Sequence, residues 1–171
     1  MHILANLDAT KPEMTPRKTT VIAKNFRSDP GVLESFYVWL EATLESFFVA
    51  KEDSSRVVLA TGEAFSNALL HGNRANPKKK VQVQISRSGD GLAARVGDEG
   101  EGSQPRSPRK SELFDTSGRG WELMHKLADR VSVRRQNGVF WVELRFKMPK
   151  DKQGEKKRGR RRARKIRSGG R

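Results

Sequence analysis

Gly62-Glu63-Ala64-Phe65-Ser66-Asn67-Ala68-Leu69-Leu70-His71-Gly72 carries two patterns at once. Ala64, Phe65, Ala68 and Leu69 continue a spacing begun by Val57, Val58 and Ala60, which is one side of a helix. That helix is expected to start near Asp53-Ser54 and to run to about His71, with Gly72 as its C-terminal cap. Glu63, Asn67 and His71 stand four residues apart and project along a second stripe beside the apolar one. Asn is a poor helix-interior residue because its amide competes for backbone hydrogen bonds. Taken alone, the stripe reads as a solvated helix face. The sharper reading is a working pair, with the Asn67 carbonyl oxygen on Mg²⁺ and Glu63 as base or water-positioner. Magnesium favours a few hard oxygens together with phosphate, and a neutral amide fits that need.

Upstream, Thr19–Phe26 is rich in β-branched residues and predicts a strand. Ser28-Asp29-Pro30 predicts a helix start, with Asp29 as N-cap and Pro30 in the first helical position. Val32, Phe36, Leu40, Leu44 and Phe47 then repeat at helical spacing, with Trp39 and Phe48 widening the stripe, over about 31–50. Downstream, Val81, Val83 and Ile85 alternate with Gln82 and Gln84, Gly89-Asp90-Gly91 makes a turn, and Leu92, Ala94 and Val96 return. Residues 99–118 show little hydrophobic pattern, and a loop this long is functional or disordered. Arg119–Asp129 predicts a short helix with Leu123, Met124 and Leu127 inward. Val131 and Val133, the Asn137-Gly138 turn, and Phe140, Val142, Leu144 and Phe146 complete a hairpin. The order predicts an α+β two-layer sandwich, a mixed but mostly antiparallel sheet with helices on one face.

Two further segments bear chemistry. Asp98-Glu99-Gly100-Glu101-Gly102 follows a strand directly. It is either a plain turn or a site where Asp98 accepts from the exocyclic amino group of a base. In the second case Gly100 and Gly102 would let backbone pass close to the ligand without Cβ clashes. Gly118-Arg119-Gly120 opens a helix, where bare N–H groups and the positive dipole end suit phosphate. A hinge explains those glycines too, and an exposed arginine is the commoner role for Arg119, although it is also placed to contact phosphate.

In combination, Glu-x-x-x-Asn on a helix, Asp-x-Gly-x-Gly after a strand and Gly-x-Gly opening a helix resemble the N, G1 and G2 boxes of the Bergerat ATP-binding fold. Gyrases, histidine kinases, heat-shock chaperone ATPases and mismatch-repair ATPases share that fold. Within it, residues 20–147 resemble the bacterial anti-sigma-factor serine kinases. Leu127-Ala128-Asp129-Arg130-Val131 and Asn137-Gly138-Val139 look like that family's closing helix and hairpin. The resemblance implies ATP and Mg²⁺ as cofactors, Glu63 as general base, Asn67 as magnesium ligand and Asp98 as adenine reader. Gly100 and Gly102 would lie beside the nucleotide, Gly118 and Gly120 would hold phosphates, and residues 103–117 would form a lid. It also implies a small antagonist protein as phosphorylation substrate, a sigma factor as the alternative partner, and a homodimer through the sheet edge and first helix. On size alone, a gyrase or a histidine kinase, each needing further domains, is the less expected reading of these 171 residues.

Composition bounds the rest. The chain has no cysteine, which excludes disulfides, thiolate metal sites and cysteine nucleophiles. His2, His71 and His125 offer no metal-ligand spacing. Met1 to Thr10 does not read as a secretion signal, and no stretch approaches the roughly 20 apolar residues of a membrane span, so the expected location is the cytoplasm. The formal charge of +15 is uneven. Residues 150–171 hold twelve Lys/Arg against Asp151 and Glu155, a net of +10 that leaves +5 for residues 1–149. Three segments are therefore expected: a flexible leader over 1–18, an ATP-binding domain over 19–148 and a disordered basic tail over 149–171. Such a tail contacts nucleic acid or acidic surfaces nonspecifically, and lacks the aromatics of a base reader.

Overall fold

The computed structural model describes residues 19–89, 91–101 and 119–148. Chain order is β1 (Thr20–Arg27), a 3₁₀ turn (Pro30–Val32), α1 (Leu33–Ser46), α2 (Lys51–Asn67), a π-helical turn (Ala68–Gly72), β2 (Lys80–Ser88) and β3 (Gly91–Asp98). After the undescribed residues come α3 (Arg119–Leu127), β4 (Arg130–Gln136) and β5 (Val139–Lys147). The strands form one sheet in the order β1-β2-β3-β5-β4. All four pairings are antiparallel, so the α+β sandwich stands while the mixed sheet narrows to an antiparallel one among the described residues.

Alternation explains the layering. Phe26, Val81, Val83, Ile85, Leu92, Ala94, Val96, Leu144 and Phe146 point to one face and are buried under the helices. The first two helices meet that face through aromatics. Phe36 of α1 stacks on Phe65 of α2 with centroids 3.9 Å apart, and Phe26 meets both edge-on at 5.7 and 5.4 Å. The hairpin turns behave as their residues require. Asn137 and Gly138 both take positive φ, 50° and 79°, the twin left-handed pair that joins β4 to β5. Arg56 staples the far end of the layer: its guanidinium donates to Asp53, to Asp129 at 3.2 Å and to the Leu127 and Lys147 carbonyls.

Asp29 and Pro30 cap as expected, with the Asp29 carboxylate accepting from the Gly31 amide at 2.9 Å, although the first turn is 3₁₀ rather than α. Three expectations fail for local reasons. The first helix stops at Ser46, not near residue 50, because Phe48 turns left-handed (φ 54°) and the Val49 amide reaches back to Leu44. That reversal throws Phe48 outward, 82% exposed, so it does not belong to the apolar stripe. The second helix begins at Lys51 after Ala50, without a side-chain cap, rather than at Asp53-Ser54. Gly72 is not a left-handed cap either. The chain runs on through the π turn, where the Asn73 amide bonds Ala68, and reverses at Arg74 and Ala75 (φ 56° and 49°). No helix among the described residues is long and apolar enough to cross a membrane. The leader and the basic tail lie outside the described residues, as do Gly102, Gly118 and the whole of the expected lid over 103–117.

Candidate functional site

The α2 helix and its π turn form the spine of the site. Glu63 and Asn67 sit half-buried on one shoulder of α2, one turn apart, while His71 is exposed. The first turn of α3 packs directly against that shoulder. A Cβ built on Gly120 would stand 2.5 Å from Glu63 Oε2 and 3.7 Å from Asn67 Nδ2. Any other residue at 120 would collide with the carboxylate, so three residues from two segments more than fifty positions apart meet at one point. Arg119, at the start of α3, is exposed. The phenolic end of Tyr37 of α1 packs on Gly62, whose Cβ would meet the phenolic oxygen at 2.5 Å. Burial, and next the charge of Glu63, raise the Tyr37 phenol above its ordinary pKa.

The second half of the site lies at the end of the spine. Asp98, the last residue of β3, is only 5% exposed. Its carboxylate sits where a Gly72 side chain would otherwise be: a Cβ there would collide with the carboxyl carbon and both oxygens. Gly100 is equally constrained, because its Cβ would strike the Gly72 carbonyl. Asp98 Oδ1 accepts from the Gly100 amide at 2.8 Å, which holds the turn closed. Burial pushes the Asp98 carboxyl above the usual carboxylate range, and the Gly100 N–H, Lys79 and Arg135 offset part of that shift. A buried carboxylate with one oxygen engaged and nearby positive charge can accept a hydrogen bond from a neutral donor such as an amino group. From Glu63 to Gly72 is nine residues, roughly 13 Å of helix, so the two ends suit a ligand with two distinct ends.

The turn after Asp98 is pinned by residues that sequence reasoning passed over. Asn73, 1% exposed, accepts from the Glu99 amide at 2.9 Å and donates to the Lys80 carbonyl at 3.0 Å. The Lys80 amide donates to Glu99 Oε1 at 2.8 Å, and Lys79 Nζ to the Glu99 carbonyl at 3.2 Å. Gly72 was visible in the sequence but read as a cap. For Asn73, the signal was a second amide at the end of the helix.

Two segments of the expected three thus reach the spine, Asp98 with Gly100 and the start of α3 with Gly120. Gly102 and Gly118 lie outside the described residues. Among those residues, no cluster of three or more His, Asp or Glu could hold a metal by side chains alone.

The profile of the histidine kinase-like ATPase domain matches residues 26–146, from β1 through β5. The chain belongs to that family. Membership in this ATPase family implies ATP binding. No curated relative matches the sequence. Among solved structures, the RsbU and RsbW domains of Rv1364c from Mycobacterium tuberculosis align at a TM-score of 0.58 and 16% identity, over 77% of this chain and 32% of that one. A blue-light activated histidine kinase from Erythrobacter litoralis, EL346, aligns at 0.49 and 20% identity, over 71% of this chain and 43% of that one. The SiaB-SiaC complex from Pseudomonas aeruginosa aligns at 0.43 and 15% identity, covering 73% and 88%. The chain spans about a third of the first relative and less than half of the second. At these identities the likeness is one of fold.

Proposed function

We propose that this ATPase-family domain is a protein-serine/threonine kinase of the anti-sigma-factor type, transferring the γ-phosphoryl group of ATP to a hydroxyl of a small antagonist protein and holding a sigma factor or similar partner in the alternative state. The observation that carries the reading is the packing of Gly120 against Glu63 and Asn67, which brings the bare backbone at the start of α3 up to a carboxylate and an amide. The resemblance of the three segments to the anti-sigma-factor kinases supports the choice of acceptor and partner.

Each residue has a role in this scheme. Asp98 accepts from the purine amino group, with Gly72 and Gly100 leaving room for it. The amides at Gly118 and Gly120 would receive phosphate oxygens, with Arg119 beside them, and Gly102 would pass close to the nucleotide. Asn67 offers its amide oxygen to magnesium, and the bare Gly120 edge is a cradle that a Cβ would fill. Magnesium, when bound, neutralises charge on the transferring phosphoryl group. The acceptor hydroxyl oxygen bonds to the γ-phosphorus as the bond to the β–γ bridging oxygen breaks. ADP leaves with that electron pair, and Glu63 receives the hydroxyl proton. Positioning and electrostatics supply most of such a rate enhancement.

The test is phosphotransfer from radiolabelled ATP to a purified small antagonist domain. Glu63→Gln should lower the rate by about 10²–10⁴-fold with ATP affinity nearly unchanged. Undiminished transfer by that variant would remove the base from the scheme. ATP binding without any transfer by the parent protein would favour a module that acts by sequestration.

A further inference from the structure

Arg135 stands on β4, an edge strand, yet its guanidinium is spent on a segment 34 residues earlier. Nη1 donates to the Glu101 carbonyl at 2.5 Å, and Nη2 to the Gly100 carbonyl at 3.0 Å and more weakly to Gly138 at 3.4 Å. The register explains the reach. Asp98 on β3 and Arg135 on β4 are both paired with Phe140 of β5, one from each side, so they share a face of the sheet across a single strand. Gly100 and Glu101 lie past the end of β3, outside its ladder with β5. Their carbonyls need donors from elsewhere, and a planar guanidinium serves two at once.

On its other side the same segment is held by Asn73, Lys79 and Lys80 through Glu99. Those contacts stop at Glu99. The Gly100 amide folds back on Asp98 within the turn, while the Gly100 and Glu101 carbonyls are tied to the far side of the sheet by Arg135. We infer that Arg135 is a positioning residue of the nucleotide site, which fixes the Asp98–Glu101 turn against the purine and adds positive charge on the β4 side of the Asp98 carboxyl. This rests on the reading of Asp98 as the purine acceptor.

The charged groups acting on Asp98 are Lys79 from the β2 side and Arg135 from β4, with Glu99 and Glu101 adjacent in the chain; Lys80 meets the turn only through its backbone amide, at Glu99. Removing Arg135 leaves Lys79 in place. It should therefore shift, rather than abolish, the pH at which Asp98 takes up a proton, and the shift should be upward.

The test uses the full chain, with Arg135→Met and Arg135→Lys, read by amide hydrogen exchange without nucleotide and by ATP titration calorimetry from pH 5 to 8. Arg135→Met should speed exchange in the peptide spanning 98–101, weaken ATP binding by about tenfold, and move the acid decline of ATP affinity to higher pH. Arg135→Lys keeps the charge but not the fork, so exchange should rise while the acid decline stays near that of the parent. Unchanged exchange in both variants would overturn the inference. Faster exchange with unchanged ATP affinity would overturn it also. Failure of the parent to bind ATP would instead strike the purine reading, and the exchange measurement would report on the tether regardless.

Discussion

Gly72→Ala puts the site geometry to its hardest test. The added methyl would lie 2.6 Å from Asp98 Oδ2 and nearer still to Oδ1 and the carboxyl carbon. Real Cβ contacts do not occur at such distances, so one partner must move. Asp98 cannot swing away freely, because it is buried at a strand end with Oδ1 already fixed by the Gly100 amide. Overpacking of this kind costs about 1–3 kcal/mol. At about 4–8 °C per kcal/mol for a domain near 100 residues, the melting temperature should fall by roughly 4–24 °C. If Asp98 is displaced, its charge-assisted bond to the ligand is lost as well, about 1.5–3 kcal/mol, which is roughly 10–150-fold in ATP affinity. The control is Gly91→Ala, a site of ordinary φ whose Cβ would meet only the Ser88 carbonyl at 3.6 Å. That variant should melt and bind within error of the parent or slightly better. Differential scanning calorimetry and ATP titration calorimetry on the pair decide the matter. Should Gly72→Ala match Gly91→Ala in both measurements, the argument from Asp98 packing is wrong.

Gly120→Ala should behave differently, because its Cβ meets the far end of the flexible Glu63 side chain rather than a fixed group. The fold should hold, helped by up to about 1 kcal/mol of helix propensity, while phosphotransfer drops at least tenfold; a full-rate Gly120→Ala protein would refute the role given to this contact. The two perturbed aspartates predict opposite pH dependences. Burial raises the Asp98 carboxyl, so the folded state binds that proton more tightly than the unfolded chain. Its contribution to stability is therefore greatest below the ordinary carboxylate range and declines as pH rises through the raised value. ATP affinity should run the other way, weakening as pH falls through the same value, and Asp98→Asn should flatten that profile. The Lys147 amide holds Asp129 below the ordinary range, with Arg56 adding to the effect. Stability from Asp129 is thus present above the ordinary carboxylate range and lost as pH falls through the depressed value. Acid melts of Asp129→Asn that parallel the parent would remove this assignment.

Most of the architecture was written in short-range pattern. Alternation over 81–85 and 92–96, the Asn137-Gly138 pair and the Asp29-Pro30 start each depend only on neighbours a few residues away. Side-chain period and turn conformation follow from those neighbours directly. The candidate residues were legible for a related reason. Glu63 and Asn67 are one helical turn apart on any helix, and Asp98 stands where alternation ends and glycines begin.

Tertiary packing decided what those residues face. Nothing local told Gly72 apart from a C-terminal cap, because its purpose is the volume it leaves for a carboxylate 26 positions away. The same holds for Phe48, whose outward turn depends on a left-handed reversal that helical spacing cannot announce, and for Arg135, one of many arginines until the register set it beside Asp98. Spacing along the chain determines periodicity and therefore which side of an element a residue occupies. Contact between distant segments depends on how whole elements pack and on which atoms are absent, and only the folded sheet and its helices supply that.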